Sequence, residues 1–369
     1  MASARPATRA ACTCPAVPIA KFSDPPTSTM PSLPEAALHM TDSRLPAAPP
    51  ALHAGSGRVA DYGRYEGRVF DLSTAAWDGS RGAFSPRRLQ RKGWMYFGAF
   101  TPRYMVGYAV ADAGLMATAF VYVYDRQAKK LTEHKATVPF GFATDFAPSP
   151  DADWQLRGGK RHWHARPAGS GWDVRFEAPG LKLQMEFRDA GPGMTAIASS
   201  PGRPFHHTWK LCALPLRLAL EIDGQRIEQD ATGTLDFTLG YPPRHTDWNW
   251  ASLDGVTEDG QRIGVNLVAH FMNGHENAMW LGDRLLPLAQ AVFQYDPAQL
   301  LQPWRVHTAD GVLDVQFVPE GERREDISVG LLASRFTQPF GRFTGTLKTT
   351  DGVKKVEGFG VVEQHHAKW

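Results

Sequence analysis

Carboxylates, a guanidinium and several indoles crowd one stretch in the second half of this chain. Gly240-Tyr-Pro-Pro-Arg-His-Thr-Asp-Trp-Asn-Trp250 is followed by Gly264-Val-Asn-Leu267 and then by Asn273-Gly-His-Glu-Asn-Ala-Met-Trp280. Arg244, Asp247, Trp248, Trp250, Asn266, Glu276, Asn277 and Trp280 all fall here, in a span that otherwise reads as strand. Burying charge among large aromatics is costly unless the charge is paired or used. A site is therefore expected first in this stretch.

If residues 244–250 form a strand, Arg244, Thr246, Trp248 and Trp250 share one face, and His245, Asp247 and Asn249 the other. A guanidinium under two indoles is a cation–π stack that orients an anionic or π-rich ligand; alternatively Arg244 ties strands together and the indoles are packing. Pairing Arg244 with Asp247 needs a bulge or another strand, because the two alternate. Asn266 either positions a ligand oxygen from a barrel wall or bonds backbone. Glu276 is a general acid or base if burial against Trp280 raises its pKa, and otherwise a turn residue capping amides. At the chain end, Gly358-Phe-Gly-Val-Val-Glu-Gln-His-His-Ala-Lys-Trp369 puts Glu363 and His365 on one strand face. A carboxylate beside an imidazole handles protons, or is a strand-end ion pair. The candidate catalytic set is Asp247, Glu276, Glu363 and His365; the candidate ligand contacts are Arg244, Trp248, Trp250, Asn266, Asn277 and Trp280. All rest on one idea, that indoles and a guanidinium line an oily chamber inside a β shell.

Other chemistries lack their residues. The histidine pairs His162/His164, His206/His207 and His365/His366 have no evident third ligand, so no metal is expected. No Gly-x-Gly-x-x-Gly follows a strand, there is no P-loop, and Gly-x-Ser-x-Gly is absent, so no cofactor is expected. A net charge of +2 without a basic block gives no nucleic-acid footprint. No apolar run approaches the roughly 20 residues of a membrane-spanning helix. Of the three cysteines, Cys12, Cys14 and Cys212, only the last lies in the expected folded part, which suits a reducing, cytoplasmic location.

The elements that must position these groups are strands. Trp172–Glu177, Leu181–Phe187 and Leu313–Phe317 alternate apolar and polar residues with period two, and Ala119–Tyr124 is a β-branched and aromatic run. Asp-Gly turns punctuate them, and Asp223-Gly224 sits at the centre of a hairpin pattern over 216–227. Helix signals are confined to Ser85–Arg91, with Ser85 as N-cap, and Asp296–Leu301. Residues 1–56 form a Pro- and Ala-rich extension: the first 50 hold ten of the 28 prolines and no Trp, a disordered composition without the apolar core of a signal peptide. Met30 and Met40 are plausible alternative starts, so residues 1–39 need not be translated. The expectation is an all-β fold of two antiparallel barrel halves, 57–225 and 226–369, or a large two-part sandwich.

The order of these features resembles the family known as domain of unknown function 2804 (DUF2804). The matching pieces are Gly63-Arg-Tyr-Glu-Gly67, Lys92-Gly-Trp-Met-Tyr96, Phe120-Val-Tyr-Val-Tyr-Asp125, the 240–250 cluster, Gly264-Val-Asn-Leu267, the segment from Glu276-Asn277 to Trp280, and Glu363-Gln-His-His-Ala-Lys-Trp369. The resemblance covers roughly residues 45–369. The family is similar, more distantly, to the lipocalin-like double-barrel group that includes carotenoid hydratases. That resemblance implies β-barrel halves with an apolar cavity and transfers no catalytic residue. The function expected is a lyase, hydratase or isomerase working without a cofactor on an isoprenoid or fatty-acyl type of molecule. The alternative is a non-catalytic carrier of an apolar ligand.

Overall fold

Period-two alternation becomes a pair of antiparallel sheets in the computed structural model, which describes residues 44–53, 58–78, 85–141, 144–188, 191–329 and 332–369. The first sheet begins with β1 (Gly63–Glu66), β2 (Lys92–Phe100), β3 (Tyr104–Asp112), β4 (Met116–Asp125), β5 (Lys130–Pro139), β6 (Thr144–Phe146) and β7 (Trp154–Gly158). It continues with β8 (Arg161–Ala168), β9 (Gly171–Ala178), β10 (Leu181–Phe187), β11 (Met194–Ala198), β12 (His206–Ile222) and β13 (Gln225–Gly240). The second sheet holds β14 (His245–Thr257), β15 (Arg262–Ala269), β16 (Ala278–Leu281), β17 (Arg284–Pro287) and β18 (Ala291–Gln294). Its remaining strands are β19 (Trp304–Thr308), β20 (Leu313–Val329), β21 (Leu332–Thr349) and β22 (Gly352–Lys368).

Strand order is β5-β4-β3-β2-β13-β12-β10-β9-β8-β7-β6 in the first sheet and β17-β16-β15-β14-β22-β21-β20-β19-β18 in the second. Most neighbours are consecutive in sequence, and the β2–β13 and β14–β22 pairings bring early and late strands together. Asp223 and Gly224, both at positive φ, make the two-residue turn that pairs Ile222 with Gln225. That turn, near which the sequence divides the halves, joins two strands of one sheet. The chain passes to the second sheet between Gly240 and His245.

Two sequence expectations need correcting here. Residues 44–53, counted with the Pro-rich extension, are docked: Ala48 and Leu52 donate amides to the carbonyls of Glu66 and Asp71, and Leu52 is fully buried. One inserted leucine and a few backbone bonds outweigh the proline-rich composition. The rest of the expected disordered tail, through residue 43, lies outside the described residues with Cys12 and Cys14. Asp296–Leu301 is a run of turns, not a helix, because the Asp296 carboxylate accepts from the Ala298 amide and Gln299 Nε2. Pro86–Gln90 is helical, with Ser85 capping the Arg88 amide.

Each sheet curls around its own core. In the first, Arg161 Nη1 of β8 donates to the Lys135 carbonyl of β5, bringing the two ends of the strand order together, and Met95, Phe97, Val121 and Val123 point into the curl. In the second, Val265, Leu267, Phe317 and Phe343 do the same. The alternate residues face the opposite sheet: Tyr96, Ala109, Tyr122 and Tyr124 meet Trp250, Val268, Phe340 and Val361. Strands β2–β4 are therefore buried on both faces, which is why Ala119–Tyr124 reads as an unbroken apolar run. The interior of each curl is filled with side chains. The cavity lies between the two sheets, within one compact unit, rather than inside a barrel.

Candidate active site

Strand register builds the site as two facing ladders. On the first sheet, Lys210 pairs across to Asp236, Asp236 to Tyr96, Tyr96 to Ala109 and Ala109 to Phe120. On the second, Phe336 pairs to His365 and His365 to Trp248, while Glu363 pairs to Trp250 and Trp250 to Val268. Cross-strand partners share a face, so charges and aromatics from five or more strands converge without any loop being required. Ala109, Ala111 and Ala113 stand where larger residues would fill the gap, and a cavity of about 190 Å³ remains. Its half-buried rim, with Ala113, Met116, Ile327, Ala333 and Ser334, sits where the β3–β4 and β20–β21 turns meet the chain end.

The floor is a buried charge cluster. Lys210 Nζ pairs with Asp236 Oδ2 and stands 3.5 Å from Glu276 Oε1, and all three side chains are under a tenth exposed. Lys210 also lies 5.9 Å from the centre of the Trp250 ring. Burial by itself lowers the lysine's pKa, but Asp236 and Glu276 more than offset this and hold it above its ordinary value. Burial pushes the Glu276 carboxyl up, with Lys210 pulling the other way. Two carboxyl groups thus share one buried ammonium, with Asp236 making the close contact and Glu276 the longer one. Nearby, His206 and His207 are buried, and burial drives both imidazoles to about 3, so they are neutral.

The second polar group lies nearer the rim. Glu363 is 5% exposed; its Oε1 accepts from Trp248 Nε1 at 2.9 Å and its Oε2 from Gln338 Nε2 at 3.0 Å. Gln338 in turn accepts from Tyr122 Oη across the sheets at 3.0 Å. His365 Nδ1 is 3.5 Å from Glu363 Oε1, and its Nε2 is 2.8 Å from Ser334 Oγ. The Trp248 and His365 rings are 4.1 Å apart, Trp248 stacks on Trp94 at 6.0 Å, and Phe271 closes the other side at 5.7 Å.

Of the residues singled out from sequence, Glu276, Glu363, His365, Trp248 and Trp250 line this one cavity. The others do not. Arg244 precedes β14, held outside the strand by Pro242 and Pro243, and its guanidinium bonds the Trp369 carbonyl. The expected guanidinium–aromatic stack is made instead by buried Arg323, 3.8 Å from the Phe120 centroid and paired with Glu133 and Glu325. Asp247 is on the open face and bonds its register partner His366 at 2.6 Å. Asn266 accepts from Trp250 Nε1 at 2.8 Å and donates to the Glu276 carbonyl at 2.8 Å, so it orients both cavity residues from behind. Asn277 bonds the Val268 amide and the Ala289 carbonyl. Trp280 donates to the Pro192 carbonyl rather than packing on Glu276; Lys210 is the group that faces that carboxyl. Lys210, Asp236, Trp94, Gln338 and Ser334 were missed. The available signal was a lone charge in an apolar strand run, Trp209-Lys-Leu211 and Leu235-Asp-Phe237, in two strands that a hairpin pairs.

Residues 46–369 match the family described as Domain of unknown function (DUF2804). The chain belongs to this family. The match starts one residue inside the span inferred from sequence. Among curated proteins none matches. Among solved structures, a candidate AttH from Nitrosomonas europaea is 15% identical with a TM-score of 0.48, covering 74% of this chain and 92% of its own. Kievitone hydratase from Nectria haematococca is 13% identical with a TM-score of 0.46, covering 74% and 88%. CghA is 12% identical with a TM-score of 0.44, covering 74% and 87%. Likeness at this level assigns neither ligand nor chemistry to this DUF2804 protein. Among its described residues no helix is long and apolar enough to cross a membrane.

Proposed function

We propose that this protein is an acid–base enzyme of the hydratase, lyase or isomerase kind, acting on an apolar small molecule such as an isoprenoid or fatty-acyl derivative. The observation that carries the proposal is Glu276, a buried carboxyl beside the Lys210–Asp236 pair, on the floor of an aromatic-walled cavity. In this reading Glu276 rests protonated, since burial raises its pKa, and donates that proton to a ligand carbon. Positive charge left on the ligand would face the Trp248 and Trp250 rings. As Glu276 ionises, the Lys210 ammonium 3.5 Å away stabilises the new carboxylate. His365, backed by Glu363, stands at the other polar group to take a proton from water, giving hydration, or from a neighbouring carbon, giving isomerisation. The side chains supply acid, base and cation stabilisation in this reading. A cytoplasmic location is part of the same proposal, on the buried free thiol of Cys212, the one cysteine among the described residues.

The test is incubation of the protein with an apolar cell extract in D₂O, followed by mass analysis of the extract. Ligands that gain one deuteron, or one molecule of D₂O, with native protein and not with Glu276→Gln support the reading. A ligand that binds native protein and is recovered unchanged would identify a carrier and overturn it.

A further inference from the structure

We infer that Ser334 is a nucleophile, activated by His365 and Glu363, giving this protein an acyl-transfer activity toward apolar esters at the rim of the cavity. Register assembles the three groups. Phe336 pairs with His365, which puts Ser334, two residues back on β21, diagonal to His365 on the same face. Glu363 lies two residues back along β22 on that face as well. The distances are 2.8 Å from Ser334 Oγ to His365 Nε2 and 3.5 Å from His365 Nδ1 to Glu363 Oε1.

The tautomer follows from the partners. Glu363 Oε1 and Oε2 already accept from Trp248 and Gln338, which fixes the carboxylate, and an ionised carboxylate can only accept. His365 Nδ1 is buried and makes no hydrogen bond, and Glu363 Oε1, 3.5 Å away, is the acceptor it faces, so a proton on Nδ1 is directed toward Glu363. That leaves Nε2 unprotonated and facing Ser334 Oγ, which then donates. A hydroxyl donating to an imidazole that a carboxylate orients is the arrangement that activates serine. The proton-transfer proposal gives Ser334 no task, and this inference does not depend on it.

Attack would form an Oγ–acyl carbon bond as the hydroxyl proton passes to His365 Nε2. The ester C–O bond then breaks and the alcohol leaves with that proton. Water, losing a proton to His365, forms a bond to the acyl carbon, the Oγ–carbon bond breaks, and Ser334 recovers the proton. Phe336 beside Ser334, with Trp248 and Ala333, selects an apolar acyl chain.

The test uses an alkyl fluorophosphonate on the intact protein, with peptide mass mapping. Attack forms an Oγ–P bond and releases fluoride. The expected result is one adduct, on Ser334, absent after heat denaturation and absent in Ser334→Ala. The labelling rate should fall at least tenfold in His365→Gln and in Glu363→Gln, each first shown to melt as a folded protein. No adduct on Ser334 of native protein overturns the inference, as does a rate that a folded His365→Gln variant leaves unchanged. Because labelling needs no turnover of the natural ligand, failure of the D₂O experiment leaves this result standing, and the reverse.

Discussion

Glu276 and Asp236 flank the same ammonium, yet they are not equivalent. Asp236 pairs directly with Lys210, whereas Glu276 stands at 3.5 Å and is the group whose carboxyl burial pushes upward. Glu276→Gln keeps the volume and a neutral side chain, so it should change stability by less than about 1 kcal/mol while lowering turnover about a hundredfold or more. Asp236→Asn leaves Lys210 buried without its close partner and should cost about 3–5 kcal/mol in chemical denaturation. If the two variants lose the same stability, the assignment of the proton to Glu276 is wrong. Sequence exposed half of this cluster. Glu276 drew attention because it sat among aromatics, but its partners are 40 and 66 positions away and only the β12–β13 hairpin joins them. Arg244 and Asp247 looked as promising and were not brought in, because two prolines delay the strand at one and strand alternation turns the other outward.

At the scale of elements, the seam between the sheets depends on close approach of β12 to β14 and β15. A bulge between Leu211 and Leu214 puts Ala213 at a φ of 54, and its amide donates to Asp254 Oδ1 at 2.7 Å. A Cβ on Gly264 would lie 2.6 Å from Cys212 Cβ and 2.8 Å from its backbone carbon. Gly264→Ala should therefore force the sheets apart and cost about 1–3 kcal/mol, read as a lower melting temperature and loss of any ligand held between them. Asp254 adds a pH dependence. Burial raises its carboxyl from 3.8 to about 7, with the Ala213 amide pulling the other way. A folded pKa above the unfolded one means the folded state binds the extra proton. That contribution is fully present below about pH 4 and is lost as pH rises through about 7. At about 1.4 kcal/mol per unit it amounts to at most about 4 kcal/mol. Stability should fall between about pH 4 and 7 from this group, and Asp254→Asn should flatten that slope; an unchanged slope in the variant contradicts the assignment.

For the whole molecule, the all-β class and several strands were legible because half-buried strands alternate with period two, as Leu181–Phe187 does. The architecture was less so. Strands β2–β4 bury both faces, which erases the alternation that would have shown two separate cores. The consequence is functional: the chamber sits between the curled sheets, walled by the outward face of each, and not inside a barrel half as the resemblance implied. Small residues opposite the indoles keep it open, so enlarging one should close it without disturbing either core. Ala111→Trp is the variant that does this at the rim. Native mass spectrometry of the protein purified from its own cells, beside Ala111→Trp, tests the central claim most directly. The account predicts one apolar molecule bound per native chain and none in the filled variant. A native protein that carries no such molecule even after exposure to the apolar extract, or a variant that retains it equally, would contradict it.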